Sequence, residues 1–359
     1  MRIVSVWLPV LLLVAACSSP TPPTAPTART RWTPAQAQTW ANQHGWMRGA
    51  NFIPSTAINQ LEMWQAETFD TATIRRELGY AAGLGFNLMR VYLHHKAWQQ
   101  DSTGFKARME QYLTLADGYG IRTMFVFMDD CWNGTSTPGL QPAPKPGIHN
   151  SGWVQDPGQR ESADTTYFPI LARYVRDVMT HFATDERIVL WDLYNEPGNS
   201  GKGNASMPLL QAVFTWARST PATQPVTSGV WNASLRDLNV RQLAESDIIT
   251  FHNYTDPASM QATIDSLRAY ERPLLCSEYM ARKNGSTFET ILPILKREQV
   301  SAINWGLVSG KTNTIYAWSD TTHQDGSEPA LWFHDIFRQD GTPYLQAEVD
   351  LIRRECLMP

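Results

Sequence analysis

From residue 46 onward, short apolar runs alternate with longer segments whose apolar residues recur at helical spacing. "WMRGANFIPS" (46–55) reads as a strand. "TATIRRELGYAAGLG" (71–85) carries the three- and four-residue spacing of an amphipathic helix and stops on glycine. The cycle then repeats. Strands are expected in "FNLMRVYLHH" (86–95), "IRTMFVFMDD" (121–130) and "IVLWDLYNEP" (188–197), with helices at 105–120, 167–184 and 205–219 between and after them. Further strands at 225–231, 246–254, 272–279 and 300–309 alternate with helices at 235–245, 258–271 and 287–298, and "EVDLIRRE" forms a last helix. This alternation predicts a parallel sheet with crossover helices, of the α/β class. Eight such units favour one closed (β/α)8 TIM barrel over an open sheet. No G-x-G-x-x-G follows the first strand, which argues against an open nucleotide-binding sheet.

The N-terminus follows another pattern. In "MRIVSVWLPVLLLVAAC" one arginine precedes an apolar stretch too short for a comfortable membrane span, and small residues lead into Cys17. This resembles a bacterial lipobox, with residues 1–17 as signal peptide and Cys17 as the lipidated N-terminus. An ordinary signal peptide cut nearby is the alternative. Residues 18–40, rich in Pro, Ser and Thr at their start, are expected to form an extended tether, leaving 41–359 as the catalytic domain. The expected location is the cell envelope, lipid-anchored and periplasmic or outer-membrane-associated.

Composition narrows the partners. Lys and Arg total 30 against 34 Asp and Glu, and no basic run or basic helix face occurs, so nucleic acid is not expected. The chain holds 14 Trp. At least half should be core, and the rest suit flat, hydroxylated ligands such as sugars. Cys131, Cys276 and Cys356 show no zinc spacing and require no disulfide.

Active-site groups of a barrel lie at the C-terminal ends of its strands. There the sequence places Arg90, His94 and His95 on strand 2, Asp129, Asp130, Cys131 and Trp132 on strand 3, and Asn195 and Glu196 on strand 4. Strand 6 ends on His252 and Tyr254, strand 7 on Glu278, and strand 8 carries Trp305. A lone strand-end Glu is as often a salt bridge or cap as a catalyst. Two of them, on strands 4 and 7, face each other across the rim. Glycosidic cleavage needs such a pair, one carboxyl to protonate the leaving oxygen and one carboxylate to attack.

"LYNEP", "FHNY", "CSEY" and "NWGL" on strands 4, 6, 7 and 8 resemble clan A glycoside hydrolases, in particular family 5, the cellulase and mannanase group, over roughly residues 46–355. The resemblance implies a retaining β-glycoside hydrolase with Glu196 as acid/base and Glu278 as nucleophile. It implies that Arg90 orients the nucleophile and that Asn195 is an amide partner of the sugar. His252 then lines the acid/base side, Tyr254 touches the nucleophile and Trp305 is the sugar platform. The family usually has a histidine where this chain has Cys131, and Asp129, Asp130 or His94 are candidates to replace it. Asp129 and Trp132 are further candidate substrate contacts. Long loops at 132–158 (Trp132, His149, Trp153) and 309–335 (Lys311, Asn313, Trp318, His323) would narrow the cleft to a pocket, favouring exo action or short oligosaccharides. A monomer without cofactor is expected. The rival readings are a non-catalytic carbohydrate-binding lipoprotein, and a metalloenzyme built on Asp129, Asp130, His94, His95 and His252. The second is disfavoured because the first strand carries no histidine.

Overall fold

The computed structural model describes residues 1–5 and 29–358. Cys17, most of the expected signal peptide and the first part of the expected tether lie outside the described residues. Eight parallel strands form a single sheet: β1 (Arg48–Asn51), β2 (Leu88–Tyr92), β3 (Arg122–Asp129), β4 (Ile188–Asn195), β5 (Val226–Thr227), β6 (Ile249–His252), β7 (Leu274–Tyr279) and β8 (Ser301–Asn304). Their order, β5-β4-β3-β2-β1-β8-β7-β6, is that of a barrel opened between β5 and β6. A parallel bridge from Val230 to Phe251 spans that gap. Helices join the strands, so the chain is a (β/α)8 TIM barrel. The fifth strand is shorter than the run at 225–231 suggests, since only Val226 and Thr227 pair with β4.

Most of the core fills the layer between strands and helices, where Trp64, Phe125, Trp191 and Tyr174 are fully buried. A smaller cluster plugs the bottom of the barrel. There Leu88, Met124, Leu190, Ile248, Leu275 and Ile303 meet Ala37 and Trp40 of the helix Pro34–His44. That helix corrects the expected tether. Thr33 accepts from the Gln36 N–H and Gln36 returns the bond, a capping box, and Pro34 starts the first turn. Ahead of it Arg29 pairs with buried Asp247 at 3.2 Å and Arg31 donates to Ser246 O and Leu243 O. The folded unit therefore begins by residue 29, at the face opposite the strand C-termini. Among the described residues, no helix is long and apolar enough to cross a membrane.

Candidate active site

Strand alternation carries Arg90 and Tyr92 to the inside of the barrel together. Arg90 is fully buried, and its guanidinium is the hub of the site. Nη1 donates to Glu278 Oε1 (2.7 Å), Asn51 Oδ1 (2.8 Å) and the Tyr92 oxygen (2.6 Å). Nη2 donates to Asp192 Oδ2 (2.7 Å) and Asn195 Oδ1 (2.6 Å). Burial works against the Arg90 charge, but Tyr92, Asp192 and Glu278 around it raise its pKa well above the ordinary value. Tyr92 donates to Glu278 Oε1 at 2.9 Å and Tyr254 to Oε2 at 2.7 Å. Three donors, one of them cationic, converge on the two Glu278 oxygens and hold them in place.

Glu196 stands on a sharp turn. Its backbone is left-handed, φ 45°, a strained conformation for a side chain of this size and one that clusters at functional sites. The turn is held from below by Asp130, which is fully buried. Asp130 accepts from Tyr194 OH (2.8 Å), Lys202 Nζ (2.5 Å), Gly198 N (2.8 Å) and Ser206 Oγ (2.6 Å). Glu196 Oε1 lies 2.8 Å from His252 Nδ1, and Oε2 accepts from the Cys131 thiol (3.3 Å) and the Asn199 amide. Burial pushes the Glu196 carboxyl up, but these hydrogen bonds, led by His252, outweigh it and hold its pKa below the usual value. The Cys131 thiol is pushed well up by burial and by the acidic groups around it, so it stays protonated and donates.

The two carboxylates and His252 present oxygen and nitrogen atoms all within 4.8 Å of one another. Retaining glycosidases hold their carboxyls about 5–5.5 Å apart and inverting ones about 6.5–9.5 Å, so this close an approach of the two carboxylates lies on the retaining side of that divide. Both open on a cavity of about 1280 Å³. Asn195, His252, Tyr254, Trp305 and Trp132 line it. Cys131, Trp153 and Trp318 join them. Trp305 packs edge-on against Tyr92 and Trp153, at 5.9 and 5.6 Å between ring centres, giving an aromatic wall beside Glu278.

Several expected residues lie elsewhere. Arg90 bonds Glu278 without itself reaching the cavity surface, and Asp129, a candidate substrate contact, does not reach it. Asp129 instead accepts from Asn195 Nδ2 (2.9 Å) and Trp153 Nε1 (2.7 Å), and burial raises its carboxyl to about 7. It orients two groups that line the cavity. Asp130 and His94 do not replace the family's histidine either. His94 Nδ1 accepts from the Lys96 N–H at the start of a helix, and burial lowers its pKa to about 4. His95 pairs with Asp156 behind the barrel wall. The five side chains of the metalloenzyme reading thus do not come together: His94 and His95 share Asp156, whereas His252 sits with the two glutamates and Asp129 and Asp130 bond elsewhere. Lys311 is paired with Glu62 and His323 with Asp320. Asn199, Tyr92 and Asp192 escaped the sequence reading. Tyr92 was detectable two residues after Arg90 on the same strand face, whereas Asn199 acts only because the turn at Glu196 folds it back.

Residues 49–311 match the family described as Cellulase (glycosyl hydrolase family 5). The chain belongs to glycosyl hydrolase family 5. Its barrel resembles GH5_18 from Streptomyces cattleya in complex with GlcNAc (14% identity, 93% of this chain and 82% of that chain, TM-score 0.59). It also resembles the endo-beta-1,4-mannanase from Thermotoga petrophila (14%, 89% and 78%, 0.57) and the exo-beta-1,4-mannosidase Op5Man5 from Opitutaceae bacterium strain TAV5 (16%, 87% and 60%, 0.59). At such identities these structures speak to fold alone. No curated protein is detectably similar to the chain in sequence. Family 5 membership makes the chain a retaining glycoside hydrolase of O-glycosyl bonds in β-linked glycans, and the non-catalytic reading finds no support.

Proposed function

We propose that Glu278 is the nucleophile and Glu196 the acid/base of a double displacement on an uncharged β-linked oligosaccharide, cleaved close to its non-reducing end. The unequal surroundings of the two carboxylates carry this assignment. Glu278 is clamped by a guanidinium and two phenols, which fixes its position beside the reacting carbon's path. Glu196 meets a thiol, an amide and an imidazole nitrogen that donates or accepts according to tautomer, so it can hold a proton or release one. In the first step a Glu278 oxygen bonds to the anomeric carbon. The glycosidic C–O bond breaks, and Glu196 gives its proton to the leaving oxygen. In the second step Glu196 takes a proton from water, the water oxygen attacks the anomeric carbon, and Glu278 leaves as carboxylate. Asn195, held by Arg90 and Asp129, offers an amide hydrogen to the neighbouring sugar hydroxyl.

Two loops support the short glycone side. The Asn150 N–H donates to Thr312 O (2.7 Å), Asn313 Nδ2 to Lys145 O (2.8 Å) and His149 Nδ1 lies 2.8 Å from Tyr316 O. These contacts lace the loop after β3 to the loop after β8 beside the aromatic wall. The test is Glu196→Ala with an activated aryl β-glycoside. A burst of phenol and a glycosyl adduct on Glu278, read by peptide mass spectrometry, support the assignment. An adduct on another residue, or no burst, refutes it.

The small residues before Cys17 support lipidation there and an envelope location. Cys17→Ser should then move the protein from the membrane fraction to the soluble one with turnover unchanged. Retention in the membrane pellet after a salt wash contradicts lipidation.

A further inference from the structure

The cavity does not end at the catalytic pair. It continues past Glu196 to Trp231 and Asn232, and on between the helices Arg236–Glu245 and Pro257–Arg268. The second helix contributes Ser259, Ala262, Thr263, Ser266 and Leu267, which are spaced three and four residues apart and so share one face. The first helix faces it with Asn239 and Leu243. From Ser259 to Leu267 the helix rises about 1.5 Å per residue, which makes this wall roughly 12 Å long, room for more than one pyranose ring. Crossover helices run back from the top of a barrel to its foot, so the arm descends the outer wall. Leu243, near its lower end, accepts through its carbonyl from Arg31 at the foot of the barrel. The arm lies where the barrel is weakest, at the β5–β6 gap spanned by the bridge from Val230 to Phe251.

Two features identify what the arm takes. No charged side chain lines it; it presents hydroxyls and amides over Val230, Ala262, Leu243 and Leu267. The arm also opens on the acid/base side. The Trp231 indole donates to Pro197 O at 3.2 Å, which ties the arm's entrance to the turn that carries Glu196. The aromatic wall of Tyr92, Trp153 and Trp305 stands on the opposite side, formed by β2, the loop after β3 and the end of β8.

We propose that this arm is a binding channel for the leaving group, taking an uncharged β-linked oligosaccharide of at least two sugar units down the flank of the barrel between these two helices. The proposal rests on Glu196 being the acid/base, because the leaving group departs on that side. Binding energy gained by parts of the substrate remote from the reacting bond raises kcat/KM.

The test uses the purified full chain, p-nitrophenyl β-mannoside and β-glucoside, and di- to hexasaccharides of the β-1,4-mannan and cellulose series. For the wild type, kcat/KM should rise about tenfold or more from disaccharide to tetrasaccharide, about one factor of ten for each 1.4 kcal/mol of added contact. Ala262→Trp fills the middle of the arm and Ser266→Trp its exposed lower part. Both should lower kcat/KM on the longer oligosaccharides about tenfold. Both should leave the aryl glycosides, whose leaving group does not enter the arm, within about twofold of wild type. A wild type indifferent to leaving-group length overturns the proposal, as do variants that lose aryl and oligosaccharide activity in parallel. Failure of the underlying role assignment shows separately, as aryl turnover that persists in Glu196 and Glu278 variants.

Discussion

Asp130→Ala should both loosen the barrel and disable the acid/base. The buried Asp130 carboxylate is the partner of Lys202, whose side chain is only 7% exposed. Leaving one member of a buried ion pair alone costs about 3–5 kcal/mol. Tyr194 OH and Ser206 Oγ also lose their acceptor, while Gly198 N keeps only Ser206 Oγ at 3.0 Å. Each unpaired hydroxyl would add about 1–3 kcal/mol if it stayed dry. The space left by the carboxylate is polar and admits water, so the ion-pair figure, about 4 kcal/mol, is the working value. An unfolding entropy of roughly 2.1 cal/mol/K per residue over about 330 residues gives about 0.7 kcal/mol/K, and hence a fall in Tm of about 6 °C. The turn that holds Glu196 in its left-handed conformation loses the Gly198 tie, so kcat on an activated aryl β-glycoside should fall about tenfold or more. Scanning calorimetry and steady-state kinetics measure both. Asp265→Ala, on an exposed helix face, is the control and should stay within about 0.5 kcal/mol. A Tm drop under about 2 °C with kcat unchanged would refute the clamp.

Other substitutions probe the hydrogen bonds to the carboxylates. Cys131→Ala removes a donor that favours ionised Glu196, so the Glu196 pKa should rise. The alkaline limb of the kcat/KM profile, where the acid is lost, should move to higher pH; an unmoved or lowered limb contradicts the contact. Arg90→Lys keeps the charge but cannot reach Glu278, Asp192 and Asn195 together, and about 3 kcal/mol of lost transition-state stabilisation would reduce kcat/KM about 100-fold. A loss under about threefold would show that the fork does not organise the site.

The barrel was legible because each strand is a short apolar run and each helix carries its own spacing and stop. The catalytic pair was legible for a related reason. Strands expected to be buried end on Asn195-Glu196 and Ser277-Glu278, and topology sends both ends to one rim. The helix Pro34–His44 was signalled by Thr33-Pro34 and by Gln36 three residues after the cap, but it follows a proline-rich stretch whose composition dominated the reading. Asp129 and Asp130 show what the sequence withholds. Adjacent residues point to opposite faces of a strand, so one orients Asn195 and the other clamps the turn. The choice depends on register, which the sequence alone does not display. The arm between the two helices was invisible, because the residues facing it also read as an ordinary small-residue helix face.

The central claim is that Glu278 attacks and Glu196 transfers the proton, and the anomer formed on azide rescue tests it most directly. Both alanine variants are assayed with the same activated aryl β-glycoside and sodium azide, and the product is read by NMR. In Glu196→Ala the first step proceeds, and azide, which needs no general base, attacks the glycosyl-enzyme from the face opposite Glu278. The product should be the β-glycosyl azide. In Glu278→Ala azide occupies the emptied nucleophile site, and any product should be the α-azide. β from Glu196→Ala and α or nothing from Glu278→Ala is the predicted result. The reverse pairing, or variants that each retain more than about one tenth of wild-type turnover, a loss of under about 1.4 kcal/mol, would contradict it.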